Sequence, residues 1–78
     1  MPRYYFHLRD GDRLDRDPEG TELATLDLAV EEVRHAAREL LAHKILQGEV
    51  VDGQIFEITS EQGEVFDKIP LKSVVRFE

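Results

Sequence analysis

Glu31, His35, Glu39 and His43 recur every four positions and carry side chains able to bind a metal. On a helix each step of four drifts about 40° around the axis, so neighbours touch but the four do not converge. A pair such as His35 with Glu39 would hold Zn²⁺ or Ni²⁺ weakly, because a built site needs three or four convergent ligands. The spacing reads as a solvated, ion-paired helix face. A second group, Asp15-Arg16-Asp17-Pro18-Glu19-Gly20, spaces oxygens at alternate positions before a glycine, like the first half of a calcium loop. The bidentate Glu that closes such a loop falls at Leu26, and Pro18 interrupts the run, so an acidic turn is expected. Ser60 and Ser73 have no His or Lys close in sequence to activate them and no nucleophile-elbow context. There are no cysteines, which removes disulfides, thiolate metal sites and Cys nucleophiles. No metal, cofactor or catalytic residue is assigned, and a non-enzymatic role is expected.

A third group is Arg3, Tyr5, His7 and Arg9, on one side of an extended segment. Aromatics flanked by Arg on an open sheet can stack single-stranded bases. The net charge of −7 opposes this, because binding along phosphates needs clustered Lys and Arg. Neither a nucleic acid nor a membrane is expected as a partner. No apolar run is long enough to cross a bilayer or to form the apolar part of a signal peptide. With 41% hydrophobic and 35% charged residues, the chain is globular, and its length allows one domain, residues 1–78.

The elements that hold these groups follow from periodicity. Residues 3–9 alternate as a strand, with Tyr4, Phe6 and Leu8 on a core face and Arg3, Tyr5, His7 and Arg9 on the other. Asp10-Gly11 is a hairpin turn, followed by a short charged strand over about residues 13–16. Asp17-Pro18-Glu19-Gly20 is a second turn. Thr25 caps a helix over 26–46, whose apolar arc is Leu26, Ala29, Val30, Val33, Ala36, Ala37, Leu40 and Leu41. Lys44 falls inside that arc and Leu46 opposite it, and Gly48 supplies a stop. Strands are expected over 54–60 and 64–69, joined by a turn at Glu61-Gln62-Gly63, and residues 71–77 either extend as a strand or close as a short helical turn, the helical turn being preferred. On the first of these, Phe56 and Ile58 face the core, and Ile55, Glu57 and Thr59 face away.

The order is β-β-α-β-β. An α+β two-layer sandwich is expected, with one long helix on one face of a four-stranded antiparallel sheet, strand order 2-1-3-4. Phe6, Val33, Leu40, Phe56 and Ile58 are expected to share the core.

The opening Met-Pro-Arg-Tyr-Tyr-Phe-His-Leu, the Asp10-Gly11-Asp12 turn and the step Arg16-Asp17-Pro18-Glu19-Gly20 resemble a family of short bacterial proteins of unknown function. That family opens M-P-R-Y-[YF]-F, continues with an acidic D-G turn and an R-D-x-x-G step, and leads into an Ala-rich amphipathic helix. The likeness continues through Gln54-Ile55-Phe56-Glu57-Ile58 and the following strand. It implies a fold and a bacterial source and carries over no catalytic residue; a cytoplasmic setting is expected from the missing cysteines and the short apolar runs. A fold-level likeness to the N-terminal domain of HicB-type antitoxins rests on the aromatic first strand, the acidic turn and Thr25-Leu26-Asp27-Leu28-Ala29-Val30. The proline-leucine-proline-glycine run of those proteins is missing.

One helix about 10 Å across leaves part of a four-stranded sheet uncovered. The uncovered face would carry Arg3, Tyr5, His7, Ile55, Glu57 and Thr59, a mixed polar and apolar surface of the kind that meets other proteins. A weak homodimer through this face is expected, with Tyr5 and Ile55 as anchors. The alternative is an antitoxin-like regulator whose acidic surface masks a basic partner.

Overall fold

The computed structural model describes residues 1–74. Strand β1 spans Arg3–Asp10, β2 Arg13–Asp15 and β3 Thr21–Glu22. Helix α1 covers Leu26–Leu46, strands β4 and β5 cover Ile55–Thr59 and Val65–Pro70, and a 3-10 helix follows at Leu71–Val74. The sheet is antiparallel in the order β2-β1-β4-β5, with β3 also paired to β1. The α+β sandwich and the strand order match the expectation from the sequence. Three details differ. The second strand ends at Asp15, the two later strands are Ile55–Thr59 and Val65–Pro70, and a two-residue strand, β3, joins the sheet. The short helical turn is present over Leu71–Val74, and the rest of that expected segment lies outside the described residues.

Thr25 caps α1: its backbone is extended, and its hydroxyl accepts the Leu28 N–H at 3.2 Å. At the other end Gly48 takes φ +73°, and its N–H donates to Ile45 O at 3.1 Å while the Glu49 N–H donates to Lys44 O at 2.9 Å. This is a Schellman closure, which needs the left-handed backbone that glycine adopts without strain. Ala29, Val33, Ala37 and Leu41 are buried, one per turn, and the other four residues of the arc are half-buried. Lys44 stays half-buried within the arc, its Nζ 3.6 Å from Glu49 Oε1, while Ile45 and Leu46 are 66% and 86% exposed.

The core lies between α1 and one face of the sheet, in two clusters. Tyr4, Ala29, Val33, Ile58 and Ile69 form one, and Ala37, Leu41 and Leu71 the other, with Phe56 and Val74 packed against both. Val33 and Ile58 are fully buried, as expected, whereas Phe6, Leu40 and Phe56 are only half-buried, packed against the clusters rather than sealed within them. The reason is width: a single helix seals the ladder directly beneath it and leaves its flanks partly open. Gln54 fastens the chain before β4, its carboxamide oxygen accepting the Asp52 N–H at 2.9 Å and its backbone carbonyl the Leu71 N–H at 3.0 Å. Lys72 Nζ, 2.8 Å from Asp52 Oδ1, ties the 3-10 helix to the same loop. That hydrogen bond, and then the Lys72 charge, hold the Asp52 carboxyl below its ordinary range.

Candidate interaction face

The sheet face away from α1 is built on the register of three strands. Tyr5 stands opposite Thr59 and then Val65, His7 opposite Glu57 and then Lys68, and Arg9 opposite Ile55 and then Pro70. Alternation along β1 and β4 brings these residues together. All six residues singled out from the sequence sit on or beside this face, but not as equals. Tyr5, His7 and Ile55 are half-buried, whereas Glu57 and Thr59 are buried. Tyr5 and Ile55 stand at opposite ends of the β1–β4 ladder, about 13 Å apart at 3.3 Å per residue. Two separate apolar spots therefore flank a charged centre.

That centre is Glu57. Its Oε2 accepts from Arg9 Nε at 2.7 Å, and its side chain is 7% exposed against 40% for Arg9. The charge of Glu57 is thus spent within the chain. Arg3 is committed as well, donating to the Glu19 carbonyl at 2.7 Å and to Glu22 Oε1 at 3.1 Å.

The 16–20 segment borders the face in a way that the sequence left unread. Strand β1 has one edge shared by β3 at Arg3 and Tyr4 and by β2 at Leu8 to Asp10. Asp17 fills the gap between them. Its Oδ2 accepts the Phe6 N–H at 3.2 Å, and its Oδ1 accepts the Glu19 and Gly20 N–H groups at 3.3 and 3.2 Å. Its own N–H donates to His7 Nδ1 at 3.0 Å. One side chain thereby replaces a missing stretch of strand, which satisfies backbone donors that would otherwise be orphaned. Both Asp17 oxygens face these backbone donors, while Asp15 Oδ1 accepts from Arg13 Nε at 3.2 Å. Gly20, at φ +70°, closes the turn; a Cβ there would lie 2.9 Å from Arg3 Cγ and 3.0 Å from both Tyr4 O and Tyr5 Cε2. The R-D-x-x-G step is therefore a structural device, and the Asp-to-Gly spacing of an Asx turn was its legible sign.

The other candidate groups stay apart. His35 Nε2 lies 3.1 Å from Glu39 Oε1 on the exposed helix face. Among the described residues no three His, Asp or Glu side chains gather as a metal cluster would require. Ser60 Oγ accepts the Gln62 and Glu64 N–H groups of the β4–β5 turn, and Ser73 Oγ donates to Pro70 O. A cleft of ≈ 380 Å³ lies at the end of the sheet between Pro2, Tyr4, Gln62 and Phe66. No described helix is long and apolar enough to cross a membrane.

An antiparallel sheet carrying one capped helix, with its first strand stitched by an Asp-to-Gly turn, defines a small α+β domain class. Over residues 3–72 the sequence matches the family described as domain of unknown function DUF6894, and the chain belongs to that family. Comparison with curated proteins and with solved structures finds no match.

Proposed function

We propose that this domain is a non-enzymatic protein-interaction module that pairs with a second copy of itself through the outer sheet face. The observation that carries the reading is the arrangement of that face. Tyr5 and Ile55 stand half-exposed on the two central strands, while α1 and the 3-10 helix pack on the other side. Apolar spots around a satisfied polar pair resemble the mixed composition of non-obligate interfaces. Pairing of one patch with itself is two-fold, so the Tyr5 spot of one copy meets its own symmetry mate or the Ile55 spot of the other. The alternative route, edge to edge through β5, is guarded by Lys68, by Pro70 and by the bulge opposite Ile58 and Thr59.

The net charge of −7 on each copy opposes approach, and that repulsion is screened within about 10 Å at 0.1 M salt. The dimer is therefore weak and tightens as salt rises. Sedimentation at several salt concentrations tests this, with Tyr5→Glu expected to give monomers of unchanged circular dichroism. A strict monomer at near-millimolar concentration overturns self-pairing. A binding curve for a basic partner that weakens with salt would place the chain with antitoxin-like regulators instead.

A further inference from the structure

We infer that His7 is a proton-operated latch on the 16–20 segment, so that acidification releases the turn that borders the outer face. His7 Nδ1 accepts the Asp17 N–H at 3.0 Å, so this nitrogen carries no proton in the closed form and the ring proton sits on Nε2. A proton arriving at Nδ1 turns the acceptor into a donor that faces another donor. The ring then has two choices. It can swing away, leaving the Asp17 N–H without its partner, or it can aim Nδ1–H at the Asp17 carboxylate. The second choice draws that carboxylate off Phe6, Glu19 and Gly20, whose N–H groups it now holds. Either way the Asp17 stitch loosens, and with it the packing of Gly20 against Tyr5.

Tyr5 and Arg9 share the His7 side of β1, Glu57 stands opposite on β4, Lys68 lies beyond Glu57 on β5, and Asp17 approaches from the turn. The Glu57 carboxylate is itself engaged by Arg9, 2.7 Å away. The latch belongs to the same face as the proposed pairing, and its regulatory consequence rests on that reading. Acidification removes the backing of Tyr5, which weakens the dimer even though the added positive charge lowers the net repulsion between the copies.

The test is amide exchange of the whole chain by NMR from pH 8 to pH 5, corrected for the intrinsic pH dependence of exchange, alongside the imidazole nitrogen signals of His7. The protection of the Asp17 amide should fall about tenfold, the equivalent of one hydrogen bond, in step with His7 protonation, while the Val33 and Ile58 amides keep theirs. His7→Gln, which keeps an acceptor but does not titrate, should hold Asp17 protection flat. Unchanged Asp17 protection across the His7 titration, or an equal fall in His7→Gln, overturns the latch. Sedimentation over the same pH range separates the two ideas. A dimer indifferent to a latch that opens overturns the regulatory link alone, and a monomer at every pH overturns the outer-face reading while the exchange data still decide the latch.

Discussion

Arg9 and Glu57 form an asymmetric ion pair across the central strands: the guanidinium reaches solvent while the carboxylate, 2.7 Å away, is almost wholly buried. Removing the arginine is therefore not the loss of a surface salt bridge, because the carboxylate left behind lacks both water and a partner.

Arg9→Met should destabilise the domain by about 1–3 kcal/mol, more than the ~0–1 kcal/mol typical of exposed pairs. Adding Glu57→Met should recover much of that loss, since the buried charge is then gone as well. Urea unfolding of the parent, both single variants and the double variant measures the coupling. Additive single effects would show that the two side chains act independently.

Gly20→Ala and Gly11→Ala make a matched pair. Both residues have positive φ, +63° at Gly11 and +70° at Gly20, so each substitution carries the backbone cost of about 1–2 kcal/mol. A Cβ at Gly11 meets nothing within 4 Å, whereas one at Gly20 meets the Tyr4 carbonyl and two side chains at about 3 Å. The Gly20 variant should melt several degrees below the Gly11 variant. Equal melting temperatures would show that the turn shifts freely away from β1.

The Asp52–Lys72 pair gives a pH dependence of known sign. The Asp52 carboxyl is held low in the folded chain by the Lys72 hydrogen bond and charge. Its contribution is complete above the unfolded value of about 3.9 and is lost as pH falls through the lower folded value. Lys72→Ala should lower stability slightly at neutral pH, with the difference from the parent vanishing in strong acid. Unfolding curves from pH 7 to pH 2 would show it, and a difference that grows on acidification would contradict the sign.

Much of this architecture was legible from local rules. Helix α1 announces itself by an arc of eight apolar residues, by Thr25 before it and by Gly48 after it, three signals that agree. The alternation of residues 3–9 and of residues 54–60 assigned both sheet faces, and Tyr4, Ile58, Tyr5 and Ile55 lie where it put them. Alternation tells which way a side chain points and not what lies over it. Glu57 was therefore placed on the outer face without sign that Arg9 would cover it. Strand β3 was illegible because two residues carry no period; Thr21 and Glu22 are extended only because β1 has an open edge beside them. The half-burial of Phe6 and Phe56 reflects how far one helix reaches across the sheet, a tertiary quantity that no local pattern contains.

The pairing of β1 with β4 has a consequence for how the chain assembles. Strands β1, β2 and β3 meet through short turns, so the first two dozen residues can zip up locally. The two central strands, by contrast, are joined by a connection of roughly 45 residues whose closure entropy must be met before any of their contacts form. Helix α1 shortens that connection, since a helix advances only about 1.5 Å per residue. The helix thus acts as a folding strut as well as a core layer. The high contact order of the β1–β4 ladder sets the pace of folding, and substitutions that fray α1 should slow refolding more than those confined to the β1–β2 hairpin.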